Sequence, residues 1–246
     1  NMTSRPLAAI ARPLIIFLCF YLGFIAPYNG GASAPSSPAA VTTVSSDDSK
    51  YIALTFDDGP GGEYTDMILD HLEACGARGT FFIMGCRIND NLPQIKRMIE
   101  GGHQLGNHTW DHVDLTKTDK DATLRQIMSV HDSIKGLFGV SPQLVRPPYG
   151  FFDENARSAG FPLIHWSVDT MDWHLLNADA VVRHILENAR DGDIILMHDI
   201  YPSTAEAVGR VLPLLDQKGF RMVTVSELFA IRGIALEPGK AYYCAR

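Results

Sequence analysis

The chain has 246 residues, 46% hydrophobic and 20% charged, with 21 Gly, 14 Pro and 4 Cys; this fits one globular domain and excludes a disordered, collagenous or disulfide-dense chain. Formal charge is −7, and removing an N-terminal segment that carries Arg5 and Arg12 leaves 19 of the 21 basic residues against 28 acidic ones, −9. No run of Lys or Arg exists to release counterions from a phosphate backbone, so nucleic acid is excluded as a partner.

The first apolar stretch, Leu14 to Ala26, follows Arg5 and Arg12 and precedes the small residues Ala32-Ser33-Ala34, the profile of a signal peptide over residues 1–34. At thirteen residues it is shorter than the ~20 a spanning helix needs. Pro35 directly after the small-residue site hinders cleavage, so retention as an N-terminal membrane anchor stays open. Either outcome exports the rest, to a secreted or cell-surface location. Residues 35–50, rich in Ala, Ser, Pro and Thr, cannot bury a core and read as a linker. With Cys19 set aside, Cys75, Cys86 and Cys244 predict one disulfide and one free thiol, the pairing left open.

From Tyr51 to Ile231 short β-type runs alternate with amphipathic stretches. Seven strands are predicted: Tyr51–Phe56, Thr80–Met84, Gln104–Asn107, Leu144–Arg146, Pro162–Val168, Asp193–Met197 and Arg221–Val225. Gly76, Gly102, Gly160 and Gly219 fall where the intervening helices should stop. This alternation defines an α/β chain with parallel strands, either a barrel or an open doubly wound sheet. Residues 233–246 form a C-terminal tail without a readable pattern.

Polar residues cluster after these strands: Asp57 and Asp58, then His108, Arg146, Asp169 and His198. In parallel βα folds the carboxyl ends of the strands carry the site, so clusters distant in sequence converge on one cleft. Thr55-Phe56-Asp57-Asp58-Gly59-Pro60 closes an apolar strand with adjacent carboxylates, whose repulsion a cation would relieve. His108 and His112, spaced i and i+4, are expected one helical turn apart and able to face one point; Asp111 should then point elsewhere. Two imidazoles and a carboxylate leave coordination positions open, as in catalytic rather than structural metal sites; zinc suits this set, and cobalt, nickel or manganese are compatible. Arg146-Pro147-Pro148-Tyr149-Gly150 is a rigid turn in which Tyr149 is the first residue after Arg146 with an N–H. Asp169 on a neighbouring strand is expected to orient His198 and raise its pKa toward that of a general acid.

In order and content these five clusters resemble the signature motifs of the NodB-like polysaccharide deacetylases, carbohydrate esterase family four, over residues 51–232. The resemblance implies a distorted TIM-like barrel of about seven parallel strands, one divalent metal ion, and hydrolysis of N-acetyl groups on a sugar polymer. Carried onto this chain, it implies Asp58, His108 and His112 as metal ligands, Asp57 as general base, and His198 as the acid that protonates the departing amine. Asp169 would keep His198 protonated and Arg146 would position Asp57. Tyr149 would stabilise the oxyanion through its N–H, and Trp173 and Leu196 would wall the acetyl methyl pocket.

For an exported chain the expected polymer is peptidoglycan, through its N-acetylglucosamine. Chitooligosaccharide, exopolysaccharide and O-acetylated xylan are the rival substrates, since the motifs do not separate amide from ester. Asp58 weighs against the muramic-acid branch, which tends to lack the second carboxylate. Two other classes stay open: an inactive carbohydrate-binding module, and a glycoside hydrolase built on Asp57 and Asp169, which leaves the paired histidines unexplained.

Overall fold

In the computed structural model, which describes residues 49–246, the apolar strand runs are covered on both faces, the condition under which parallel strands read as near-continuous hydrophobic stretches. Along the chain come β1 (Lys50–Asp57), α1 (Glu63–Ala74), β2 (Gly79–Ile83), α2 (Leu92–Glu100), β3 (Gln104–Asn107), α3 (Lys120–Phe138) and α4 (Glu154–Arg157). They are followed by β4 (Leu163–Ile164), β5 (Val168–Asp169), α5 (Asp172–Leu175), α6 (Ala178–Asn188), β6 (Ile194–His198), α7 (Pro202–Gln217), β7 (Phe220–Met222), α8 (Val225–Ile231) and β8 (Ala241–Tyr242). The signal-peptide segment and almost all of the expected linker lie outside the described residues. No helix among the described residues is long and apolar enough to cross a membrane.

The main sheet is parallel, in the order β3-β2-β1-β6-β5, and β7 pairs with Lys50–Ile52 of β1 before β2 takes over at Leu54. Val145 bridges Asn107 at the end of β3 to Leu163 in β4, which carries the curved sheet toward closure as a distorted barrel. Two predicted strands change form. The run Leu144–Arg146 contracts to that single bridging residue, because Pro147 and Pro148 lack the N–H groups a ladder needs. The run Pro162–Val168 splits because the chain changes partner within it: the His165 N–H donates to the Tyr242 carbonyl at 2.7 Å, whereas the Ser167 N–H donates to Ile194 of β6 at 3.0 Å. The tail is ordered against the barrel, since β8 pairs in parallel with β4 and the Tyr242 hydroxyl donates to the Ala235 carbonyl.

Strand alternation separates an outer from an inner layer. Leu54 and Phe56 of β1, Phe81 and Ile83 of β2, and Ile195 and Met197 of β6 pack outward against α1, α2, α6 and α7. Thr55, Asp57, Leu196 and His198 therefore face the other way, into the barrel. The four glycines expected to stop helices all adopt positive φ, from 60° to 87°. Cys75, Cys86 and Cys244 are all free thiols, so the expected disulfide does not form.

Candidate active site

Asp57 ends β1, and its Cα is the register partner of His198 at the end of β6. Beneath them lies Arg146, fully buried at 0% exposure. Its guanidinium donates to Asp57 Oδ1 and Thr55 Oγ1, both at 2.8 Å, and to the carbonyls of Ile164 and His165 at 3.0 and 2.8 Å. The Phe82 ring lies 4.1 Å below the guanidinium carbon. Thr55 and Asp57 meet the same nitrogen because residues two apart on a strand share a face. A buried cation so enclosed is tolerable only because it is paired and hydrogen-bonded.

Asp58 follows with φ of 69°, a left-handed conformation that turns its carboxylate away from the strand toward His108 and His112. Its Oδ1 stands 3.3 Å from His108 Nε2 and 3.2 Å from His112 Nε2, and it makes no hydrogen bond although buried. His108 Nδ1 lies 2.7 Å from the Arg146 carbonyl, which can only accept, so the proton sits on Nδ1 and Nε2 offers its lone pair. The three ligand atoms fall within 4.8 Å of one another. Burial works to raise the Asp58 carboxyl, and the adjacent His108 and His112 rings more than offset it, holding it well below the usual carboxylate range. Burial likewise works to lower His108, and Asp57 and Asp58 outweigh it, so without a cation the cluster itself draws in positive charge. An orphaned buried oxygen beside two imidazole Nε2 atoms fits a divalent ion.

The two histidines converge, but not through a helical turn. Residues 108–112 form a loop in which Thr109 and His112 take positive φ of 66° and 57°. Gln126 of α3 holds it, its Oε1 accepting from the N–H groups of Trp110 and Asp111 at 2.9 Å each. Asp111 turns outward to Gln126 Nε2, as the sequence reading expects.

The expected Asp169–His198 pairing is not made. His198 Nδ1 lies 2.8 Å from Asp172 Oδ1, and the His198 N–H and the Thr204 hydroxyl both donate to Asp172 Oδ2 at 2.7 Å. Register explains the correction. Asp169 is level with Leu196, two residues and ~7 Å short of His198 along β6, and its carboxylate accepts the Met171 N–H instead. The chain then turns through left-handed Met171 and brings Asp172, fully buried, up to the ring. Burial works to lower the His198 pKa, but Asp172 outweighs it, with help from Asp57 and Asp58, and the group is pushed up to about 9.

One cavity of about 460 Å³ is lined by Asp57, Asp58, His108, His112, Tyr149, Asp169, Trp173, Leu196 and His198, so every expected site residue except the underlying Arg146 reaches it. Trp166 and Tyr201 complete the wall. Sequence reading passed over both, and also passed over Asp199. This buried carboxylate accepts from the Thr65 hydroxyl at 2.6 Å and abuts Gly59, where an added Cβ would lie 2.0 Å from Oδ1. Gly59 is thus obligatory by contact, and Asp199 braces the turn that follows Asp58. Its position directly after His198 was the only signal available.

A parallel barrel with an open His-His-Asp cluster, a carboxylate held by a buried arginine and an imidazole held by a second carboxylate has the make-up of a metal-dependent hydrolase site. The sequence profile of the family described as Polysaccharide deacetylase matches residues 45–161. The chain is 40% identical over 210 residues to peptidoglycan-N-acetylglucosamine deacetylase PgdA of Listeria monocytogenes, covering 85% of this chain and 44% of that protein. It is 39% identical over 184 residues to peptidoglycan-N-acetylmuramic acid deacetylase PdaC of Bacillus subtilis, covering 74% and 39%. The chain therefore spans less than half the length of these relatives. Among solved structures, a T48 deacetylase with substrate superposes with a TM-score of 0.75 at 42% identity, covering 79% of this chain and 96% of that one. The chain belongs to the polysaccharide deacetylase family, the NodB-like enzymes of carbohydrate esterase family four.

Proposed function

We propose that this chain is a metal-dependent deacetylase that hydrolyses the N-acetyl group of N-acetylglucosamine in peptidoglycan, outside the cytoplasm, releasing acetate and leaving a free amine. The observation that carries this reading is the placement of Asp57 and His198 on adjacent strand ends, facing one cavity beside the Asp58, His108 and His112 cluster. When bound there, a divalent ion, zinc by preference of the donor set, supplies Lewis acidity to the acetyl carbonyl and acidifies water.

The remaining chemistry belongs to the protein. Asp57 Oδ1 is fixed by Arg146, which orients the carboxylate so that Oδ2 can take the proton of the attacking water. The Tyr149 N–H is the donor for the negative charge that develops on the carbonyl oxygen. His198, kept charged by Asp172, gives its Nε2 proton to the nitrogen as the C–N bond breaks. Leu196, Trp166 and Trp173 supply apolar wall for the methyl group. Asp169 lines the pocket, its carboxylate accepting the Met171 N–H rather than meeting His198.

The names of the bacterial relatives support a cell-wall glycan, N-acetylglucosamine before N-acetylmuramic acid. The test is acetate release from purified peptidoglycan and from hexa-N-acetylchitohexaose, abolished by a chelator and restored by zinc or cobalt. Shortened chains without acetate would point to a glycoside hydrolase, and tight glycan binding without either product to a binding module. Acetate from O-acetyl xylan alone would assign an esterase.

A further inference from the structure

The two histidines of the cluster are held to different degrees. His108 is buried and fixed twice, its backbone N–H donating to the Ile83 carbonyl at 2.9 Å and its Nδ1 to the Arg146 carbonyl at 2.7 Å. His112 has neither support. Its side chain is 24% exposed, no hydrogen bond fixes its Nδ1 among the described residues, and its ring stands edge-on to those of His108 and Tyr149 at 5.0 and 4.7 Å. The direction of His112 is therefore decided by the backbone that leads into it, residues 109–111. That path is unfavourable in itself, since Thr109 and His112 take φ of 66° and 57°, a region that residues with a Cβ avoid and β-branched ones avoid most.

Three consecutive N–H groups on that path end on side-chain amides instead of backbone carbonyls. The Thr109 N–H donates to Asn107 Oδ1 at 2.9 Å, and the N–H groups of Trp110 and Asp111 share Gln126 Oε1 at 2.9 Å each. Gln126 Nε2 donates in turn to Asp111 Oδ2 at 3.1 Å, and Asn107 Nδ2 to the Ile127 carbonyl at 2.7 Å, so both amides tie the loop to one turn of α3. The carbonyls of Thr109 and Trp110 accept from the N–H groups of Gly85 and Cys86. Thr109 and Trp110 are thus anchored on both sides. Asp111, the residue next to His112, is hydrogen-bonded among the described residues to Gln126 alone. We infer that Gln126 is a positioning residue for the metal site: it holds the 109–111 backbone on its left-handed path in the metal-free protein, so that His112 Nε2 already stands 3.2 Å from Asp58 Oδ1. A ligand set in place beforehand loses less conformational freedom on binding, and the amide contributes to metal affinity without touching the metal.

The inference rests on the reading of Asp58, His108 and His112 as metal ligands, and the experiment separates the two. Metal-free wild type, Gln126→Ala, Gln126→Glu and Gln126→Glu/Asp111→Asn are titrated with zinc in competition with a chromophoric chelator. Amide hydrogen exchange at Trp110 and Asp111 and thermal unfolding are followed without metal. Ala forms helix at least as well as Gln, and α3 buries Thr123, Ile127, Val130 and Ile134 instead, so Gln126→Ala keeps the fold. Zinc Kd should rise about 10–100-fold in Gln126→Ala, the usual cost of removing the support behind a ligand, with faster exchange at the two amides. Gln126→Glu keeps an oxygen for both N–H groups but sets a second carboxylate against Asp111, so it recovers only part of the affinity. Adding Asp111→Asn restores the third hydrogen bond with donor and acceptor exchanged, and Kd should return to within a few-fold of wild type. Unchanged zinc Kd in Gln126→Ala would overturn the inference even if the metal-free Tm falls, because Gln126 would then brace the fold alone. A raised Kd that the double variant leaves raised would overturn it as well. Wild type that binds no zinc would overturn the metal reading itself, and with it any part for Gln126 in affinity.

Discussion

Asp57 and His198 are register partners, their Cα atoms side by side where the parallel strands β1 and β6 end. The spacing between the two side chains is therefore set by a backbone ladder, which moves far less than any loop. Asp58, one residue on, leaves that ladder through its left-handed backbone and serves a different purpose. Asp57→Asn is expected to bind zinc as tightly as wild type while losing 10²–10⁴-fold in kcat, the usual worth of a general base. Asp58→Asn is expected to bind zinc weakly and to lose the rise in Tm that zinc gives the wild type, because a ligand that binds only the folded state stabilises it. Calorimetry and thermal unfolding with and without zinc separate the two, and equal zinc affinity in both variants contradicts the division of labour.

The His198–Asp172 pair makes a pH prediction. His198 must be protonated to act as acid, and with its pKa pushed up to about 9 the rate should fall only as pH rises through that value. In Asp172→Asn the main charge that raises it is gone while the burial remains, so the alkaline limb of kcat/KM should move down by at least two pH units. Asp169→Asn, which keeps the pair intact, should leave the limb in place. The stability linkage has the same sign: a histidine raised in the folded state contributes fully below pH ~6.5 and loses its contribution as pH rises through 9. NMR titration of the His198 ring in each variant reads both effects.

Sequence alone brought Asp57, Asp58, His108 and His198 to one cavity, because each closes or directly follows an apolar run that both faces of a parallel sheet must bury. What it could not supply was register and local backbone. The choice of Asp169 over Asp172 turned on a two-residue offset between β5 and β6 that no periodicity encodes. The His108 and His112 spacing suggested a helical turn, whereas Gln126, far along the chain, holds a left-handed loop. Val145 reads as one residue of an apolar run, and only the prolines after Arg146 hint that its strand stops at a single bridge. The tail carried no recognisable pattern because β8 is two residues long and gains its meaning from β4.

Arg146 should prove as important to stability as to chemistry. Arg146→Met leaves Asp57 buried without its cation and strands the carbonyls of Ile164 and His165, a loss of about 3–5 kcal/mol by the precedent of broken buried pairs. Arg146→Lys should recover only part of this, since one ammonium cannot reproduce a planar fork that serves four acceptors. Adding Asp57→Asn to Arg146→Met should regain stability, because the uncompensated charge is then gone. Urea unfolding of wild type, Asp57→Asn, Arg146→Met and the double variant closes the cycle, and simple additivity would show that the pair is not coupled.

Asp199 carries the opposite sign. Burial raises its carboxyl to about 7, with Thr65 working against the shift and Asp57 and Asp58 adding to it. An acid raised in the folded state binds its proton more tightly there than when unfolded, so stability falls as pH climbs from about 4 to 7 and the penalty is complete above that. Asp199→Asn keeps an oxygen for the Thr65 hydroxyl and removes the charge that packs against Gly59. In metal-free protein the variant should therefore be more stable than wild type at pH 8, on the order of a few kcal/mol, with the gap closing by pH 4. Urea midpoints across that range test it. A gap that stays constant with pH would mean that Asp199 acts through shape alone. Asp199→Ala, which also removes the brace beneath the Asp58 turn, should weaken zinc binding where Asp199→Asn does not.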